Sequence, residues 1–246
     1  MSQQHRPFVV GIGGFRRSGK DTFARVVADI ARERGFAVAT IAFADPLRHA
    51  AAAAYGVDVS IFTDDARKDT VCDAWSITYR QMLINLGEAM RSVDPDHWVK
   101  AWRQSVARVY ADWQDARSVD GVRHPVLILV PDLRRVNEAA VIHDAGGVTV
   151  LMRRPGVAWD GHVNELPAHL AQHRDDIRAA TLGCWYSGDD TTSLMYNPSE
   201  KTPAVCRLFF DRVVDNTGLP DVDLKPHAVA LVDNLLMNSS SGIQHG

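Results

Sequence analysis

The sequence predicts an α/β fold, a five-stranded parallel sheet flanked by helices, on three observations. Short apolar runs alternate along the chain with helical patterns, as in repeated βαβ units. The first run ends in a glycine-rich turn that opens directly into a helix. The chain has 246 residues, 46% apolar and 23% charged, which is enough to bury a core without disulfides or metals.

Each element follows from its pattern. Residues 8–13 (FVVGIG) are an apolar run suited to a strand buried on both faces. Phe23, Val26, Val27 and Ile30 then fall at helical spacing, and Gly35 stops that helix. FAVATIAF (36–43) reads as the second strand, and a short helix follows from Pro46. The acidic stretch 63–73 reads as a loop, and 79–92 and 96–114 as two helices. The second sets Trp98, Trp102, Val106, Val109 and Trp113 on one face, a pattern of core rather than of ligand binding. After a polar linker (115–125), VLILV (126–130) is a third strand, 134–147 a helix with a glycine stop, and VTVLM (148–152) a fourth strand. Residues 206–216 supply the fifth strand and 224–236 a closing helix, and the tail 239–246 is expected to be disordered.

Composition narrows the function classes. A net charge of -3 argues against a broad footprint for duplex nucleic acid, so any bound anion must meet a local cluster. Cys72, Cys184 and Cys206 fit neither a disulfide framework nor a metal knuckle, which points to a reducing, cytoplasmic compartment. No run approaches the ~20 apolar residues of a membrane span, and the N-terminus does not read as a signal peptide.

Gly14-Phe15-Arg16-Arg17-Ser18-Gly19-Lys20 fits G-x-x-x-x-G-K between a strand and a helix, the context a phosphate-binding P-loop requires. Glycines let backbone N–H groups turn toward phosphate oxygens, and the helix N-terminus adds positive potential. Lys20 is one of only five lysines beside 22 arginines, so its choice is specific. A Rossmann reading of Gly11, Gly13 and Gly14 fails because Arg16 stands where the last glycine belongs. Asp21 replaces the usual hydroxyl residue, and Thr22 follows it. Asp132 ends an apolar strand, where it can hold a magnesium water or cap the next helix. His169 and His173, four apart, lack a third ligand and read as a solvated face; Cys184 reads as structural.

GKDT after an arginine-rich loop resembles the bacteriophage deoxynucleoside monophosphate kinases and, more distantly, the phosphomevalonate kinases. Further pieces resemble the first family in the same order. They are Phe43-Ala44-Asp45-Pro46-Leu47-Arg48, Leu86-Gly87-Glu88 with Arg91, and Asp96-His97-Trp98-Val99. Asp132-Leu133-Arg134-Arg135 with Asn137-Glu138, Gly146-Gly147, and Arg153-Arg154-Pro155-Gly156 with His162 and Glu165 come next, and Asp215-Asn216-Thr217-Gly218 closes the series. The segment 174–205 matches nothing in that pattern.

The resemblance implies a P-loop kinase fold in one domain over 1–238. Its core would be 7–56, 124–152 and 206–238, with an acceptor-binding helical region at 57–123 and a lid and insertion at 153–205. It implies ATP and Mg²⁺ as cofactors and a deoxynucleoside monophosphate as acceptor, and it is compatible with a homodimer. Gly14, Arg17, Ser18, Gly19, Lys20, Asp21, Thr22 and Asn216 are assigned to ATP, and Thr22 and Asp132 to the metal. Arg16, Asp45, Leu47, Arg48, Arg80, Arg91 and Arg134 are assigned to the acceptor. Lys20, Asp132, Arg134 and Arg154 are assigned to phosphoryl transfer. Residues from 153 on could instead be a passive surface excursion. Two rival readings stand: a P-loop kinase for another phosphorylated acceptor, such as phosphomevalonate or dephospho-coenzyme A, and an ATP-binding switch without turnover. Arginines at 48, 80, 91, 134 and 154 argue against the switch, which has no use for a second anion site.

Overall fold

The structure is a computed structural model that describes residues 6–115, 124–157 and 210–241. In chain order they form β1 (Phe8–Gly14), α1 (Lys20–Glu33), β2 (Ala37–Thr40), α2 (Asp45–Tyr55), α3 (Asp65–Lys68), β3 (Val71–Cys72) and β4 (Ile77–Thr78). Then come α4 (Tyr79–Val93), α5 (His97–Asp115), β5 (Val126–Leu133), α6 (Val136–Asp144), β6 (Val148–Arg153), β7 (Arg212–Asp215) and α7 (Pro220–Ser241). Ile41–Asp115 is one compact unit, and the described residues on either side of it make up the other.

The flanking unit is the predicted parallel α/β fold. Its five strands run β2-β5-β1-β6-β7, every neighbouring pair parallel. Val10 and Ile12 of β1 share a buried cluster with Phe23, Val27 and Ile30 of α1 and with Leu224, Leu231 and Leu235 of α7. The intervening Gly11 faces α6, so closely that an added Cβ would stand 2.4 Å from Ile142 Cδ1. Side chains alternate between faces along a strand. With helices on both faces, every position of β1 after Phe8 is buried, which is why its sequence is an unbroken apolar run.

One irregularity shapes the site. Gly11 pairs with Val130 and Gly13 with Leu133, so β5 spends three steps where β1 spends two. The extra residue falls at Pro131–Asp132. Proline cannot donate to a ladder, and a bulge is where a strand interior tolerates one. The strand expected to end at Val130 therefore continues to Leu133, carrying Asp132 with it.

Other boundaries also differ from those the sequence predicts. β2 stops at Thr40, because Ile41, Ala42 and Phe43 are buried in the helical unit instead of extending the strand. The stretch 63–73 holds α3 and, with β4, a two-residue antiparallel hairpin. α7 begins at Pro220 and reaches Ser241, into the tail expected to be disordered. Most of the linker 115–125, the lid and insertion beyond residue 157, and 206–209 of the fifth strand lie outside the described residues. So do His162, Glu165, His169, His173, Cys184 and Cys206.

In the helical unit α2 packs with the helices that follow it, through Ala51 in a buried cluster with Phe62, Cys72 and Met82. Trp98 and Trp102 are core, as their spacing predicts. Each also satisfies its indole N–H, as a buried tryptophan must: Trp98 Nε1 donates to Gly87 O at 3.1 Å and Trp102 Nε1 to Ile41 O at 2.9 Å. Further along α5 the face is only half-buried, with Tyr110 stacked on Trp113.

Candidate functional site

The loop between β1 and α1 has the backbone of an anion cradle. Gly14 (φ 139°), Arg17 (φ 65°) and Gly19 (φ 97°) all adopt positive φ. Such turns aim successive N–H groups into one concavity, and the first turn of α1 adds donors without helical partners. The two glycines are also required by close approach. A Cβ at Gly14 would stand 2.4 Å from Met152 O, and one at Gly19 would stand 2.2 Å from Asn216 Nδ2. Arg17 tolerates the left-handed conformation with its side chain exposed, as is that of Arg16. Lys20 folds back over the loop, its Nζ 2.7 Å from Gly14 O and 2.6 Å from Phe15 O. A flexible ammonium in that position can leave carbonyls for phosphate oxygens without moving the backbone.

Strand register brings the other assigned residues of this unit to the same carboxyl edge, where ligands bind in open α/β sheets. Beside β1 on one side, Gly13 pairs with Leu133, between Asp132 and Arg134. On the other, Gly14 pairs with Met152, ahead of Arg153 and Arg154. Arg153 is bound in a bidentate pair to Asp215 at 2.8 Å and 2.8 Å, so its charge ties β6 to β7. Arg154 is exposed and reaches the loop, with Nη1 3.4 Å from Arg17 O. Asn216 is buried beneath the loop and donates from Nδ2 to Ser18 O at 3.0 Å. Ser18 Oγ, also buried, has no hydrogen-bond partner among the described residues.

Arg135 occupies the N-cap position of the helix after β5, and a side chain from the first turn secures its backbone. It is the buried Glu138, whose Oε2 accepts from Arg134 N at 2.8 Å and Arg135 N at 2.9 Å. Burial, followed by the charge of Asp132, pushes the Glu138 carboxyl above its ordinary range. These bonds hold the backbone of Arg134 while its side chain stays exposed. Asp132 is a half-buried carboxylate on a bulge, a device that re-aims side chains next to binding sites. Thr22 is half-buried and Asp21 exposed on the first turn of α1. Magnesium is commonly held by one or two protein oxygens together with substrate phosphates. The hydroxyl of Thr22 and the carboxylate of Asp132 are donors of that kind.

The helical unit holds the residues assigned to the acceptor. Asp45 opens α2, accepting Ala42 N at 2.8 Å through one oxygen and Arg48 Nη1 at 2.6 Å through the other. The Nε of Arg48 is buried without a hydrogen-bond partner among the described residues. Leu47 is buried against Gly87 of α4, and Arg91 Nη1 lies 3.3 Å from where a Cβ on Gly87 would stand. Glycine thus leaves room for Leu47 and the Arg91 guanidinium together. Arg91 also pairs with Glu88 at 2.7 Å. Arg80 sits at the opposite end of α4, in a two-bond pair with Asp69 at 2.6 Å and 3.2 Å. Eleven residues of helix separate Arg80 from Arg91 by roughly 16 Å along the axis. Each of the two is already paired with a carboxylate.

Sequence reasoning missed three features: the structural use of Asn216, the Glu138 clamp, and the bulge. Pro131 inside an apolar strand was the available signal for the bulge. Among the described residues, no group of three or more His, Cys, Asp or Glu side chains is placed to hold a metal, and no helix is long and apolar enough to cross a membrane.

No protein-family model matches the chain. A provisionally named deoxynucleotide monophosphate kinase of Acanthamoeba polyphaga mimivirus is 28% identical over 173 residues, covering 69% of this chain and 86% of that protein. The crystal structure of a gluconokinase from Sinorhizobium meliloti 1021 aligns over 98% of this chain and 100% of its own, with 14% identity. Its TM-score of 0.36 is too low for the pairing to bear on substrate or mechanism.

Proposed function

We propose that the protein is an ATP-dependent phosphotransferase of the nucleoside monophosphate kinase type, converting a deoxynucleoside monophosphate and MgATP to the diphosphate and ADP. The observation that carries this reading is the cradle of Gly14 to Lys20, set between β1 and α1 with Asp132, Arg134 and Arg154 on the same sheet edge. Similarity to the mimivirus protein supports the choice of acceptor.

In this reading the loop N–H groups and Lys20 hold the donor phosphates, and Lys20 follows the phosphoryl group as it transfers. The attacking atom is an oxygen of the acceptor phosphate, whose second pKa is about 6, so at neutral pH it is already deprotonated. No general base is needed. The protein must instead neutralise two anions brought together and align them. Arg134 and Arg154 serve the transferring group, while Arg48 and Arg91 serve the acceptor phosphate, for which a guanidinium fork is suited. Mg²⁺ held by Thr22 and Asp132 would offset charge on the donor phosphates.

A panel of deoxynucleoside and ribonucleoside monophosphates assayed for ADP release tests the reading. ADP formation that depends on one or more of them is expected. A chain that binds MgATP but releases ADP with none of them is not a nucleoside monophosphate kinase.

A further inference from the structure

We infer that Asn216 is a positioning residue for the phosphate loop, acting on the donor phosphates through the Ser18 peptide and not by touching the nucleotide. The inference rests on the kinase reading above and assigns a role within it.

Asn216 is 5% exposed, and both ends of its amide are engaged within the protein. Its Nδ2 donates to Ser18 O at 3.0 Å, and its Oδ1 accepts from Gly218 N at 3.1 Å. A carbonyl can only accept and a backbone N–H can only donate, so these two partners fix the amide's orientation. Asn216 also stands on a rigid base. Its own N–H donates to Arg153 O at 2.8 Å, and the preceding Asp215 is clamped by the Arg153 guanidinium. The side chain lies directly under Gly19, where a Cβ would meet Nδ2 at 2.2 Å.

The consequence for the loop follows from peptide geometry. In a trans peptide the C=O and the following N–H point in opposite directions. Holding Ser18 O toward Asn216 therefore turns the Gly19 N–H away from it. That N–H precedes Lys20 and is one of the donors a P-loop directs at phosphate. Gly19 can take positive or negative φ with similar ease, so the bond to Ser18 O selects the positive one among conformations open to it. Asn216, 198 residues away in sequence, thus pre-sets the cradle before ligand arrives.

Asn216→Asp separates the two bonds. The isosteric carboxylate still accepts from Gly218 N but sets an oxygen against Ser18 O. Binding of MgATP and of inorganic tripolyphosphate, which has no base or ribose, is measured by calorimetry on wild type and variant beside the melting temperature of each. Losing one buried bond and gaining an opposed oxygen should weaken both ligands by about tenfold or more. The KM for the acceptor monophosphate should stay at the wild-type value. Asn216→Ser, which shortens the side chain and introduces no charge, should weaken both ligands in the same ratio and serves if the aspartate variant does not fold. Loss of MgATP affinity with tripolyphosphate binding intact would make Asn216 a nucleoside contact and overturn the inference. So would a lowered melting temperature with both affinities unchanged, the mark of a purely structural residue. A wild-type protein that binds neither ligand refutes the kinase reading itself, an outcome distinct from either.

Discussion

Lys20→Met should fold as the wild type does, because the lysine side chain bonds loop carbonyls and fills no core position. Removing a preorganised charge from a phosphoryl centre should lower turnover by about 10²-fold or more. Purified variant with full turnover would remove Lys20 from the chemistry. Arg134→Lys keeps the charge and discards the planar fork. Since the backbone of Arg134 is held by Glu138 and its side chain is exposed, the exchange should spare stability and lower kcat. Equal kcat for lysine and arginine would reduce the residue to a surface charge. Thr22 and Asp21 make the third comparison. Thr22→Ala should weaken binding of MgATP in calorimetry, whereas Asp21→Ala should leave folding intact, because Asp21 is exposed. Wild-type affinity in Thr22→Ala would place the metal-binding hydroxyl elsewhere.

Where α6, β6 and β7 meet at the amino end of the strands, a second polar cluster holds the elements in register. Asp211 Oδ2 accepts from Thr149 N at 2.7 Å and Thr149 Oγ1 at 3.0 Å, and His143 Nε2 lies 3.1 Å away. Burial alone would raise the Asp211 carboxyl, but these bonds outweigh it and hold the pKa below its ordinary value. A depressed carboxylate pKa contributes stability at neutral pH that is lost as pH falls from about 4 through the lowered value. Asp211→Asn should therefore be less stable than wild type at pH 7, and the difference should narrow below pH 4 in denaturant titrations. A gap that stays constant down to pH 2 would show that the charge is not used. The bulge in β5 belongs to the same scale. Its sequence signal, Pro131 within an apolar run, reads as a strand end because proline lacks an N–H. Only the register against β1 shows that the chain carries on past it.

For the whole molecule, binding to the folded state alone must raise stability. MgATP at a hundred times its Kd should add about 2.7 kcal/mol. The gain should shrink in Lys20→Met, and a melting temperature indifferent to MgATP in the wild type would contradict a nucleotide site. Much of this architecture was legible in advance. β1, α1 and β6 lie close to their predicted bounds, because strands covered on both faces and helices with one buried face impose patterns that need no partner to be read. The glycine-rich loop between β1 and α1 was legible for a similar reason, since its glycines and lysine are adjacent in sequence. Long-range pairings left no such mark. Glu138 holding the backbone of Arg134, Arg153 bound to Asp215, and Asn216 bound to Ser18 are ordinary polar residues until folding selects their partners. Thus the sequence by itself determined the fold class and the glycine-rich loop after β1, through local periodicity and spacing. Tertiary structure decided which polar groups bind one another across the scaffold, because a hydrogen bond depends on distance in space and carries no period along the chain.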